Sequence, residues 1–352
     1  MKQRIVFWDN YKGLLIFLVV FGHFIYAYAS NLEHRFVADI YTFIYTFHMP
    51  AFVFCSGYFS KSVRSRSKES IVKLLVCYII FNTAMMLFAH FLLGSNLKLL
   101  TPYYSYWYII SLICWRFMIG GMENIRFLVP LSFITTLLLG YWSEFSNALS
   151  VRRTIAFFIF FAAGYLLDRE KAEAFILKRT WRTYALGIIL SCILIPLTFI
   201  MINKLDITSG MTMMETYKSS SDVVLRMLLL AIAFLAIIVL LMIMPNCNLP
   251  LFSKIGKNSL PIYLGHRFIT IIFYKYMFPS DTYSNLYVIY ALVATLLTCV
   301  VLGNDKVALH FNNTIGSLSS ALVDPNSTFE RKLKTILFIG FILCLLLRPL
   351  LN

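Results

Sequence analysis

Long apolar runs alternate with short polar breaks along the whole chain. They lie at about 14–29, 38–59, 71–93, 103–119, 126–142, 154–167, 183–202, 224–244, 259–278, 286–302 and 335–351. A helix needs roughly 20 apolar residues to cross a hydrocarbon core about 30 Å thick, and most of these runs approach that length. No period-2 alternation of the barrel kind occurs. The pattern therefore predicts an all-α fold: a polytopic integral membrane helical bundle of about 10–11 transmembrane helices, the shorter runs being tilted or broken. One transmembrane unit is expected over 1–352, with a core of about 1–302 and an extra C-terminal span at about 335–351. The longest breaks, about 203–223 and 303–334, read as connecting loops, the second with room for a surface helix.

Composition points the same way. The 352 residues are 60% hydrophobic and 13% charged, with a mean hydropathy of +0.77, outside the soluble globular range. With the N-terminus inside, about two-thirds of the Lys and Arg residues fall on the cytoplasmic side, the bias that orients membrane proteins. An inner or plasma membrane protein of bacterial type with a cytoplasmic N-terminus is expected. The net charge of +15 is then mainly a topology signal, serving membrane lipids and an anionic cofactor; no nucleic acid partner is implied. The first run resembles a signal peptide only in outline, because its leader carries Asp9 and several aromatic residues. The seven cysteines lie mostly inside apolar runs, as small core residues do, and predict neither a disulfide framework nor a metal site. All sixteen acidic residues fall in loops or at span ends. That speaks against a proton-coupled transporter, which needs an intramembrane carboxylate, and against a glycosidase, which needs a facing pair.

The polar residues that do enter the apolar runs carry the candidate chemistry. His23, His48 and His266 lie roughly 14, 17 and 10 Å in from the nearest cytoplasmic span end, so the three can meet at similar depth. Eleven residues at about 100° each bring Lys12 and His23 to one helical face within roughly 20°, with Asp9 close to it. Ser259, Tyr263 and His266, spaced i, i+4, i+7, likewise share a face. An imidazole in hydrocarbon is held neutral and so is available as a base; the plainer alternative for each histidine is a hydrogen bond between helices. After the second run, "KSVRSRSKES" clusters Lys61, Arg64, Arg66 and Lys68, and guanidinium forks suit phosphate. Arg152 and Arg153 sit at the outer end of the sixth run against the charge bias. Gly-Tyr recurs at 57–58, 140–141 and 164–165 near run ends, where tyrosines of an interfacial belt are expected.

Taken together, these residues resemble the membrane-bound acyltransferase 3 family, specifically the fucose 4-O-acetylase-like sugar O-acetyltransferases. Lys12, ten residues, then His23 is similar to that family's Arg/Lys-x10-His pattern. "FHMPAFVFCSGYF" resembles its second span, Arg64-Ser65-Arg66 its cytoplasmic Arg-x-Arg, and "FFIFFAAGYLL" and "SLPIYLGH" its sixth and ninth spans. The resemblance implies transfer of an acetyl group from cytoplasmic acetyl-CoA to a hydroxyl of a cell-surface glycan or a lipid-linked sugar. It implies His23 as the catalytic base with Lys12 and Asp9 as its associates, and Arg64, Arg66, Lys61 and Lys12 as acetyl-CoA contacts. Candidates for acceptor binding are His48, Trp107, Arg153, Ser259, Tyr263 and His266. No metal is expected. A lipid-linked glycan flippase or transporter is the competing reading; it calls for an inverted repeat or ionisable groups in several spans.

Overall fold

The computed structural model describes residues 5–29, 35–62, 66–98, 101–122, 124–142, 148–204, 215–277 and 286–322, with 328, 331, 332, 335 and 336. The elements are α1 (Val6–Ala29), α2 (Arg35–Phe59), α3 (Lys68–Leu93), α4 (Trp107–Met122), α5 (Leu128–Leu138), α6 (Val151–Leu166) and α7 (Arg169–Lys178). They continue with α8 (Trp181–Lys204), α9 (Ser220–Ile243), α10 (Pro250–Lys257), α11 (Ser259–Ile272), α12 (Tyr287–Leu302) and α13 (Asp305–Leu322). No strand occurs among the described residues, and the fold is an all-α membrane bundle.

Ten of the predicted apolar runs carry helices, α1 to α6, α8, α9, α11 and α12. The run at 335–351 lies outside the described residues except for its first two. Of these, Ile336 packs on Val72 and Val76 of α3. Among the described residues α2, α3, α8 and α9 are each long and apolar enough to cross a membrane, and α12 with α13 forms a further candidate bent by 58°. Helix α1 has 24 residues but carries Asp9 and Lys12 in its first turns, and other runs make shorter helices: a 16-residue element such as α4 or α6 extends roughly 24 Å, less than a full hydrocarbon thickness. The break after 303 holds α13, the helix for which the sequence left room.

Local signals set the helix ends. Ser67 caps α3 by accepting from Ser70 N, and Gly94 closes it at φ 65°. Asp168 caps α7 by accepting from Lys171 N at 2.9 Å, and Pro250 opens α10. Within α2, Pro50 cannot donate to the carbonyl one turn back. Nearby, Thr46 donates to Phe43 O and the His48 ring bonds Ile44 O.

Helices α1 and α2 form the centre. Helix α1 packs on α2, α10, α11 and α12, while α2 packs on α6, α8 and α9. Two crossings depend on glycine. A Cβ on Gly57 would stand 2.0 Å from Phe161 O, and one on Gly164 would stand 1.9 Å from Phe54 O, so α2 and α6 touch backbone to backbone. At α1 and α10 a Cβ on Gly13 would meet Phe252 O at 2.1 Å, and one on Gly256 would meet Asp9 O at 1.8 Å. Small residues at helix crossings are how membrane bundles gain dispersion contact in the absence of a hydrophobic drive. Two of the three Gly-Tyr pairs thus belong to packing. Tyr58 and Tyr165 are buried, Tyr58 being stacked on Trp8 at 4.2 Å, and only Tyr141 is exposed as a belt residue would be.

Candidate functional site

Helix α1 carries the polar stripe that its spacing predicts. Lys12 Nζ and Asp9 Oδ1 lie 3.2 Å apart as an i, i+3 pair, and the ammonium stands 5.0 Å from the Phe59 ring centre. Asp9 is buried; the nearby cation offsets the cost of placing a carboxylate there. His23 stands on the same face, about 16 Å further along the helix.

A cavity of ≈ 850 Å³ opens beside this stripe, within the range of about 300–1,000 Å³ usual for small-molecule sites. Its polar lining includes Lys12, Ser56, Ser62, Ser70, Lys73, Tyr108, Arg116, Ser259 and Tyr263. Lys12, paired with Asp9, lines the wall with Lys73, Arg116 and one carboxylate, Glu69, so the lining carries a net positive charge that favours an anionic occupant. Helix α3 supplies its share through one face, Ser70, Lys73, Leu74 and Cys77, at i, i+3, i+4 and i+7. Arg116 donates from Nε to Ser60 Oγ at 3.1 Å and from Nη1 to Ser70 Oγ at 3.4 Å. Hydroxyls orient that guanidinium without neutralising it.

The cavity wall at Tyr263 adjoins the histidines. The Tyr263 ring centre is 6.0 Å from that of His266, and the His266 ring stacks on His23 at 5.2 Å with 28° between planes. His23 itself is half-buried and is not part of the cavity lining. Its Nδ1 faces Tyr45 Oη at 3.4 Å, and Tyr45 in turn packs on the His48 ring at 4.6 Å. The His23 imidazole therefore points into the bundle, between α2 and α11. His48 and His266 each bond a backbone carbonyl of their own helix through Nδ1, Ile44 O at 2.7 Å and Ile262 O at 3.0 Å. Each therefore carries its proton on Nδ1. His266 Nε2 is buried and has no hydrogen-bond partner among the described residues. Tyr263 donates to Ser105 O and Tyr106 to Leu264 O at 2.6 Å, which fixes α11 against the turn before α4.

The remaining residues singled out in the sequence divide by position. Ser259 lines the cavity. Arg153 stands over the buried Trp107 ring at 5.1 Å and lies within electrostatic reach of His23. Lys61 donates to Leu167 O beyond the end of α6, and Arg66 stands over the Tyr165 ring at 5.5 Å. Neither lines the cavity. Arg64 lies outside the described residues.

Three cations near this site were read in the sequence only for topology or not at all. Lys73 and Arg116 each interrupt an otherwise apolar run, and that interruption was the available signal. Arg267 follows His266 and is buried; adjacent residues on a helix point about 100° apart, so it escapes the i, i+4, i+7 face. Among the described residues no group of three His, Cys, Asp or Glu side chains could hold a metal ion. The six described cysteines are free thiols.

Residues 5–304 match the family model described as an acyltransferase domain, Acyl_transf_3. Over 128 residues the chain is 29% identical to the nodulation protein NolL of Sinorhizobium fredii (strain NBRC 101917 / NGR234), a stretch covering 31% of this chain and 35% of that protein. The chain thus spans about a third of the length of the curated relative it matches. No solved structure matches this chain.

Proposed function

The chain belongs to the acyltransferase 3 family, and from that premise we propose that it moves an acetyl group from acetyl-CoA to a hydroxyl of a cell-envelope glycan or its lipid-linked precursor. In this reading residues 1–352 act as one unit with the N-terminus in the cytoplasm. The observation that carries it is a cation-lined cavity whose wall at Tyr263 stands one imidazole away from His23.

Lys12, Lys73 and Arg116 hold the phosphates of the nucleotide end, and Arg64 and Arg66 are further acetyl-CoA contacts in this reading. The pantetheine arm then runs past Ser56 and Tyr108 toward Tyr263. This side of the bundle suits the donor because charge-assisted hydrogen bonds to phosphate are the strongest that such a mouth offers.

His23 acts on the acceptor. A sugar hydroxyl is a poor nucleophile at neutral pH, so a base must take its proton as the oxygen attacks. In this mechanism His23 takes the tautomer protonated on Nδ1, which faces Tyr45 Oη, itself hydrogen-bonded to Tyr41, and Nε2 is the base. The acceptor O–H breaks to Nε2, a C–O bond forms at the thioester carbonyl, and collapse of the tetrahedral adduct breaks C–S. The imidazolium then returns its proton to the departing thiolate. His266 and Tyr263 flank the path, with the His266 N–H held by Ile262 O and the Tyr263 hydroxyl by Ser105 O.

The reading is tested with purified protein, radiolabelled acetyl-CoA and cell-envelope glycan. Alkali-labile label in the glycan is the expected result. Label that stays in acetyl-CoA, or that appears only as free acetate whatever the acceptor, overturns it.

A further inference from the structure

We propose that the acceptor carries an oxyanion, a carboxylate or a phosphate, and that Arg267 receives it with Arg153 as the second ligand. The inference rests on the acyl-transfer reading and names the chemical class of its acceptor.

Arg267 lies in α11 immediately after His266 and is 4% exposed. Its guanidinium stands over the Tyr104 ring at 4.3 Å. Nε and Nη1 are buried, and among the described residues neither has a hydrogen-bond partner. Other buried arginines of this bundle are held by backbone carbonyls. Arg226 donates to Thr136 O and Glu215 O, and Arg152 to Trp142 O and Leu139 O. No carbonyl does this for Arg267 among the described residues. A guanidinium does not shed its proton under ordinary conditions. Left without acceptors in a desolvated place it is strongly unfavourable, and a bound anion removes that penalty.

The surroundings add positive charge. Arg153 joins Arg267 in acting electrostatically on the His23 ring. Arg153 and Arg267 both act on Tyr45 as well. Neither arginine is in an ion pair among the described residues. Arg153 starts α6, at the opposite end from Leu167, where Lys61 is bound; the two ends are about 20 Å apart. Neither arginine lines the cavity, and Arg153 stands at Trp107, nine residues and about 14 Å along α4 from Arg116. A neutral sugar would supply hydroxyl dipoles but leave both charges standing, whereas an oxyanion accepts the guanidinium fork in two parallel bonds. Held there, it sets the distance from the anchored charge to the hydroxyl that meets Nε2, so the arginines select which hydroxyl is acylated.

The test measures binding, which does not depend on transfer. Purified protein in neutral detergent is titrated with three probes: methyl glucuronide, its carboxyl methyl ester, and a sugar joined to a short prenol by a phosphodiester. Intrinsic tryptophan fluorescence, to which Trp107 beside Arg153 contributes, serves as the readout, with Trp107→Phe as the control that removes the signal. Wild type is expected to bind at least one anionic probe about tenfold or more tighter than the ester, with the advantage shrinking as salt rises. Carboxylate and phosphodiester arms distinguish a charged sugar from a lipid-linked one. Arg267→Gln should abolish the preference and Arg267→Lys should retain part of it. Equal binding of acid and ester by wild type overturns the proposal without any variant, as does a preference that survives Arg267→Gln in folded protein. Should Arg267→Gln fail to fold, Arg153→Gln must weaken the preference. Acetyl transfer is followed in parallel: absent transfer with an intact anion preference counts against the acyl-transfer reading alone.

Discussion

The imidazoles of His23 and His266 stack at 5.2 Å although they come from α1 and α11, elements separated by more than two hundred residues of chain. One ring faces Tyr45 of α2; the other lies beside Tyr263, which lines the cavity. In the proposed reaction the stack lies between acceptor and thioester, and the expectations below follow from that reading.

Tyr45→Phe removes the oxygen that faces His23 Nδ1 at 3.4 Å and keeps the ring. Loss of one hydrogen bond of about 1–1.5 kcal/mol corresponds to a fall in kcat of roughly tenfold. The KM for acetyl-CoA and the melting temperature should hardly move. Steady-state kinetics with labelled acetyl-CoA checks this.

Arg116→Gln and Lys73→Gln act at the other end. Each removes a cation from the cavity wall, so KM for acetyl-CoA should rise about tenfold, with kcat retained and a weaker dependence on salt. A comparison with dephospho-acetyl-CoA tells whether the lost contact was to phosphate: the variant's handicap narrows for the donor that lacks one.

Gly164→Ala places a Cβ 1.9 Å from the Phe54 carbonyl oxygen. Helix α6 must back away from α2, at a cost of about 1–3 kcal/mol or more for overpacking. Folded yield in detergent should drop. Gly316→Ala, where nothing lies within 4 Å of the new atom, is the control that stays near wild type.

Asn258 ties the start of α11 to the α12–α13 bend, donating to Gly303 O at 2.9 Å and to Asp305 Oδ1 at 2.8 Å. That hydrogen bond, with Lys257 nearby, holds the Asp305 carboxyl below the usual carboxylate range. A depressed folded pKa stabilises above the unfolded value and is lost as pH falls through the folded one. The thermal stability of wild type should therefore exceed that of Asp305→Asn at pH 7, and the two should converge on acidification below about pH 4.

The apolar periodicity located ten helices because burial in a membrane leaves few other patterns that satisfy the backbone. The Lys12–His23 stripe was equally legible, since both residues sit on one uninterrupted helix and phase alone relates them. So was the Asp9–Lys12 pair. What spacing did not carry was contact between elements. Arg116 and Lys73 reach the cavity only because α3 packs on α4. Lys61, an acetyl-CoA contact by the family resemblance, bonds Leu167 O, a carbonyl 106 residues away, a partner that spacing could not name. The tyrosines of two Gly-Tyr pairs resembled a belt until the α2–α6 crossing put their glycines against facing carbonyls. Arg267 was hidden for a simpler reason: next to a histidine it reads as one more basic residue, and only its burial without acceptors sets it apart.

The central claim concerns one ring nitrogen, and His23→Gln addresses it most directly. The substitution keeps a polar side chain of similar reach but removes the base. Transfer of labelled acetyl to the glycan is predicted to fall by about 10²- to 10⁴-fold, while acetyl-CoA binding measured on the same folded sample stays at the wild-type level. Undiminished transfer by that variant would contradict the account.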